Sequence, residues 1–118
     1  MRQNNDPVIP DREARVIDIL ISDTLVEIKK HQFSVVYYLS GCEVFKEYQT
    51  TETDSSSLYK IFVYNPEYYN KEVGCATVLY QDTLNLEFYP HKTGEYTVYF
   101  NDSLLTKKTK IIEQPELK

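Results

Sequence analysis

The chain has no tryptophan, one methionine, three glycines and two cysteines among its 118 residues. Alanine occurs only twice, at Ala14 and Ala76. So little of the best helix former argues against long helices. No apolar run approaches the roughly 20 residues needed to cross a bilayer. Residues 1–6 carry no apolar stretch of the signal-peptide kind. The expectation is therefore either a cytosolic protein or one whose export signal has been removed. Positive charge is also short, 13 Lys and Arg against 18 Asp and Glu, a net charge of −5. An acidic chain with scattered lysines makes nucleic acid or an anionic membrane a poor partner. Two Cys and two His, all far apart in sequence, lack the close paired spacing of a structural zinc site. No metal or cofactor is expected.

Eleven tyrosines and five phenylalanines are what the chain has in excess. Aromatic and β-branched residues suit a pleated, half-buried surface. The stretch 82–101 shows this best. Leu84, Leu86 and Phe88 alternate with Asn85, Glu87 and Tyr89, and then Tyr96, Val98 and Phe100 alternate with Glu95, Thr97 and Tyr99. A period of two places each apolar set on one face of a sheet. Pro90 and Gly94 bracket the corner between them.

The other elements follow in order. Residues 1–13, with Pro7 and Pro10, read as a flexible tether. Strands are expected at 16–21, at 25–28 as an edge segment, and at 31–39, where Phe33, Val35, Tyr37 and Leu39 share a face. Ser40-Gly41-Cys42 breaks that strand. Further strands are expected at 42–50, 58–64, 73–80 and 104–113, with a polar loop at 52–57 and a loop carrying Tyr68 and Tyr69 at 65–72. Residues 114–118 form a polar tail. One domain, 14–113, with about seven to nine strands at such spacings has the pattern of a β-sandwich.

Lys92-Thr93-Gly94-Glu95-Tyr96-Thr97-Val98 resembles the tyrosine corner of immunoglobulin-like sandwiches. There a Tyr near the start of one strand bonds back to the chain just before it. The alternative is that Tyr96 simply packs in the core. The expected fold is all-β, an immunoglobulin-like antiparallel β-sandwich.

Chemistry is harder to find. Cys42 and Cys75 each follow a glycine. They read either as a disulfide, worth about 3–4 kcal/mol on the chain-entropy model, or as two buried thiols packing as small apolar groups. A nucleophilic cysteine needs a neighbouring base, and His31 and His91 have no motif around them. Glu43 and Glu47, four apart in an expected strand, could share a face, but nothing specifies the raised-pKa carboxylate of a glycosidase. Asn101-Asp102-Ser103 reads as a turn and also fits a glycosylation sequon. Tyr64, Tyr68 and Tyr69 are the candidate ligand-binding residues, since exposed aromatics stack on sugars or anchor protein interfaces. Against this, loop tyrosines are often only solvated.

Several motifs together carry a resemblance. They are Ser40-Gly41-Cys42 with Phe45, Gly74-Cys75, the run from Phe88 to Phe100, and Lys108-Thr109-Lys110-Ile111-Ile112. They resemble small lipoproteins of Bacteroidetes-type bacteria, in which an immunoglobulin-like domain follows a lipobox signal. The likeness covers residues 16–112. The lipidated Cys of that family is absent here, so membrane contact would need a lipid anchor that this sequence does not contain. The resemblance implies an extracytoplasmic, cell-envelope location where disulfides persist, and no established activity. The expectation is a non-catalytic domain, not an enzyme, for protein interaction or structural spacing. The alternative is a carbohydrate-binding module that meets polysaccharide through its loop tyrosines.

Overall fold

The computed structural model describes residues 8–70, 72–75 and 78–115. Nine strands and no helix make up these residues. The first sheet holds three antiparallel strands in the order β2 (Val16–Leu20), β4 (His31–Ser40) and β7 (Leu79–Phe88). The second holds six: β1 (Asp11–Glu13), β3 (Thr24–Val26), β5 (Val44–Glu52), β6 (Ser56–Tyr64), β8 (Gly94–Phe100) and β9 (Leu105–Ile112). Its order is β1-β6-β8-β9-β3, with β5 also on β6.

The alternation expected at 31–39 determines which face β4 buries. Phe33, Val35, Tyr37 and Leu39 are buried, and the residues between them are not. From the second sheet Tyr59, Ile61 and Val63 of β6, Val98 and Phe100 of β8, and Ile111 of β9 meet them. Tyr59 ties the layers together. Its ring stacks on Phe100 at 5.3 Å and meets Phe33 of the opposite sheet edge-on at 5.8 Å. Fully burying one such aliphatic or Phe side chain stabilises a fold by about 1.5–3 kcal/mol.

The pairing departs from the wholly antiparallel sandwich expected. β3 runs parallel to β9, and β6 runs parallel to β8 over Ser56–Leu58. The cause lies in how the β5–β6 hairpin docks. β5 occupies one edge of β6 from Ser57 to Tyr64, so β8 and β1 share the other edge, one at each end. A hairpin that docked through β5 would have given an antiparallel neighbour instead.

Three local expectations also change. Asp11–Glu13, read as tether, pairs with Phe62–Tyr64, and Ala14 behind it is buried and donates its N–H to the Ile61 carbonyl at 2.7 Å. The expected polar loop 52–57 shrinks to a tight turn, where Thr53 N–H donates to Ser56 O at 2.8 Å, and Ser57 is buried. Of the strand expected at 73–80 only Leu79 and Tyr80 are strand, and they run on into the stretch around Leu84–Phe88 as β7; Val73–Cys75 lie outside any strand and residues 76–77 lie outside the described residues. Gln81-Asp82-Thr83 does not break it, because Asp82 folds its carboxylate onto the Thr83 N–H at 2.8 Å and leaves the ladder intact. Before it, Asn70 draws the chain into a turn by accepting from Glu72 N–H through its side chain at 3.1 Å and from Val73 N–H through its carbonyl at 3.3 Å.

Candidate functional site

The end of β4 is where the sequence concentrates its unusual residues. Gly41 takes a φ of 59°, a left-handed value that glycine adopts freely, and turns the chain out of the strand. Cys42 follows at once and is joined to Cys75 by a disulfide, with 5.3 Å between their Cα atoms. The bridge pins the connection after β6 to the β4–β5 turn. Gly41 N–H donates to the Val78 carbonyl at 3.4 Å, and Tyr80 Oη donates to the Glu43 carbonyl at 2.8 Å. The start of β7 is thereby fastened to the start of β5.

Glu43 is the electrostatic centre of this turn. Its carboxylate accepts Ser40 N–H at 2.7 Å and is gripped bidentately by the Arg12 guanidinium, with Nε at 2.6 Å. The Arg12 hydrogen bond holds the Glu43 carboxyl below the usual carboxylate range, and Glu43 in turn raises the Arg12 pKa. Glu43 and Glu47 do not form a shared carboxylate face. The register shifts between Phe45 and Glu47, Glu43 lies ahead of β5, and Glu47 is opposite Phe62.

Tyr68 borders a shallow cleft of about 340 Å³ with Arg12, Ser40, Glu43, Asn65 and the disulfide. Asn65 shapes the loop by accepting Glu67 N–H through its side chain at 2.8 Å and Tyr68 N–H through its carbonyl at 3.1 Å. Tyr68 and Tyr69 are both half exposed, and their rings meet edge to face at 4.7 Å and 86°. Tyr69 is also tied back, its hydroxyl donating to the Val8 carbonyl at 2.9 Å. Tyr64 stands apart, partly buried in β6 and paired with Val44. The three tyrosines therefore do not make one flat platform.

A larger feature went unread in the sequence. Val44, Tyr68, Tyr69, Val73, Val78, Leu79 and Tyr80 are all exposed around this end, Val78 at 65% and Leu79 at 60%. Leu79 lies beside Ser40 in the ladder, which brings the start of β7 against the turn that holds Cys42 and Glu43. Arg12 and Glu43 line the cleft beside Tyr68, and Asn70 donates its side-chain amide to Glu67 in the loop that carries the two tyrosines. The signal was present as Val78-Leu79-Tyr80 beside Cys75, but it read as an ordinary strand.

The remaining candidates are structural. Tyr96 is buried against Phe88 at 4.5 Å, and its hydroxyl meets Ser57 Oγ on the neighbouring strand β6, not the chain just before it as in the expected corner. His31 Nε2 lies 2.8 Å from the Val26 carbonyl and 3.1 Å from its nitrogen, tying β4 to β3. His91 is exposed beside Tyr89. Asn101 is no open glycosylation acceptor: its amide donates to Val16 O at 2.7 Å and accepts Val16 N–H at 2.9 Å, pairing with β2 as a backbone would. Compared with protein-family models, with curated proteins and with solved structures, the chain gives no match.

Proposed function

We propose that this is a non-catalytic cell-envelope domain that contacts a protein partner through the disulfide-braced end of its sandwich. The observation that carries the reading is the number of exposed apolar side chains, Val44, Tyr68, Tyr69, Val73, Val78, Leu79 and Tyr80, on the segments that the Cys42–Cys75 bridge holds together. Exposed apolar and aromatic side chains concentrated in one region mark protein interaction sites. The disulfide is compatible with an oxidising, extracytoplasmic compartment. The resemblance to envelope lipoproteins adds a lipid tether as the means of retention.

A second reading has its own support. The cleft beside Tyr68 offers Arg12, Asn65 and Glu43 as polar partners for a sugar next to an exposed ring. The edge-to-face pose of Tyr68 and Tyr69 leaves no shared flat face for stacking, which favours the protein reading.

Site-specific photo-cross-linking in intact envelopes tests the two. A photoreactive residue at Leu79 is expected to give one discrete protein adduct, and the same residue at Ile28, before β4 at the opposite end, none. Equal labelling at both positions, with saturable binding to a polysaccharide panel that Tyr68→Ala/Tyr69→Ala loses, would establish the sugar module instead.

A further inference from the structure

The two sheets are unequal, and the mismatch falls on one flank. The flank of β2 and β3 is closed, because only residues 21–23 separate those strands and Thr109 Oγ1 on β9 donates to Ser22 O at 2.7 Å. On the other flank are the two outermost strands, β7 of the small sheet and β5 of the large one. They approach at both ends. Tyr80 and the disulfide hold them at one, and a cavity of about 60 Å³ shared by Glu52, Phe88 and Tyr96 adjoins both at the other. Between these points nothing described covers β5. Register places Tyr48, Thr50 and Glu52 on the same face as the buried Ile61, Tyr59 and Ser57, so they point toward the opposite sheet. All three are nevertheless exposed. On β7, Asp82 is exposed and Leu84 half-buried, although both share the core face with Val35 and Tyr37. The small sheet is one strand too narrow to cover its partner.

The two free edges differ in how they are guarded. β5 has a bulge at Phe45/Glu47, which puts Lys46 at the irregularity, paired to Asp11 at 2.7 Å. Bulges, lysines and inward-pointing charges are devices that blunt an edge against pairing. β7 has no bulge, and its ten residues, LYQDTLNLEF, include no Lys, Arg or Pro; its guard is the inward-pointing Asp82, which also holds the Thr83 N–H and which a newcomer without a cation would leave unpaired. An edge strand offers every second N–H and C=O to a newcomer, and strand addition is a standard mode of peptide recognition.

Charge selects the occupant. Asp82 and Glu52 point into the uncovered gap, and neither has an ion-pair partner among the described residues. A second copy pairing through β7 would bring another Asp82 and another Glu87 and no cation. We propose that β7 receives an extended segment of a partner protein, with apolar residues alternating toward Leu84, Tyr48 and Tyr80 and a Lys or Arg opposite Asp82. The segment becomes the fourth strand of the small sheet and covers β5. The inference rests on the protein-partner reading and names the chemistry of that partner.

The test uses synthetic ten-residue peptides in which Val or Leu alternates with Thr, carrying one central Arg on the apolar side at each of three registers. Matched peptides carry Glu in its place. Amide hydrogen exchange of the free chain and of each mixture is followed residue by residue. At least one Arg peptide is expected to slow exchange along Leu79–Phe88, and the Glu peptides are not. Asp82→Lys is expected to weaken the Arg peptide at least about tenfold and to admit its Glu counterpart. Asp82→Asn, the milder change, is expected to weaken it less, with thermal unfolding unchanged as the check on folding. Protection of β7 by no peptide, protection of β5 instead, indifference to the charge at Asp82, or a free chain that sediments as a dimer with β7 protected would each overturn the proposal. If the peptides fail while the Leu79 cross-link persists, the protein interface stands and strand addition alone is removed.

Discussion

Single side chains decide where this fold spends its polar groups. Ser57 is fully buried and its hydroxyl meets that of Tyr96. Tyr96→Phe removes one partner and strands the other in the core. The expected loss is about 1–3 kcal/mol, read as a lower denaturant midpoint at unchanged slope. Two other tyrosines set an alkaline limit. Burial, then the Asp82 carboxylate, pushes Tyr37 up to about 12, and burial pushes Tyr59 up to about 12. A phenol ordinarily ionises near pH 10. Folding that raises its pKa favours the protonated form, so this contribution is complete below about pH 10 and is lost as pH rises through 12. Phenolate absorbance and circular dichroism followed together between pH 9 and 13 are expected to show these two tyrosines ionising with unfolding, not before it. Glu43 acts at the acid end with the opposite sign. Its lowered pKa gives stability above the ordinary carboxylate range that fades as pH falls through the folded value.

At the scale of elements, the disulfide is the part that holds the candidate interface in place. It spans 33 positions, and the chain-entropy model gives such a loop about 4 kcal/mol. Cys42→Ser/Cys75→Ser is expected to lower stability by up to that amount. It is also expected to speed exchange at Val73 and Val78 before exchange in β4 changes, a contrast that peptide-level mass spectrometry resolves. The strands themselves were legible where one face is buried. The period of two in 31–39 survives unchanged as β4, because burial on one side enforces it, whereas in β8 Thr97 between Tyr96 and Val98 is buried as well. The period says less where the strand is an edge. β5, expected at 42–50 and found at Val44–Glu52, is exposed along almost its whole length, and Asp82 is an inward residue of an uncovered strand. The pairing of Cys42 with Cys75 stayed open in sequence because proximity across 33 residues is a tertiary property. The Tyr96 corner misled for a related reason: its partner, Ser57, lies 39 positions away on another strand.

At the scale of the molecule the sandwich is unequal. Among the described residues six strands face three, and the difference is concentrated on the flank between β5 and β7. Sequence reading could not reach this, since the width of a sheet depends on which edge a hairpin docks by. Had β5 rather than β6 met β8, the large sheet would end elsewhere and the flank would be covered differently. Hydrogen exchange of the free chain, resolved at single amides along β7 with β4 as internal reference, is the most direct test. Alternating protection is expected: amides turned toward β4 exchange slowly, and those between them exchange as fast as the outer edge of β5, except Thr83, whose N–H the Asp82 carboxylate holds. Uniform slow exchange from Leu79 to Phe88 would show the edge already occupied and would contradict the open flank on which the proposed interface depends.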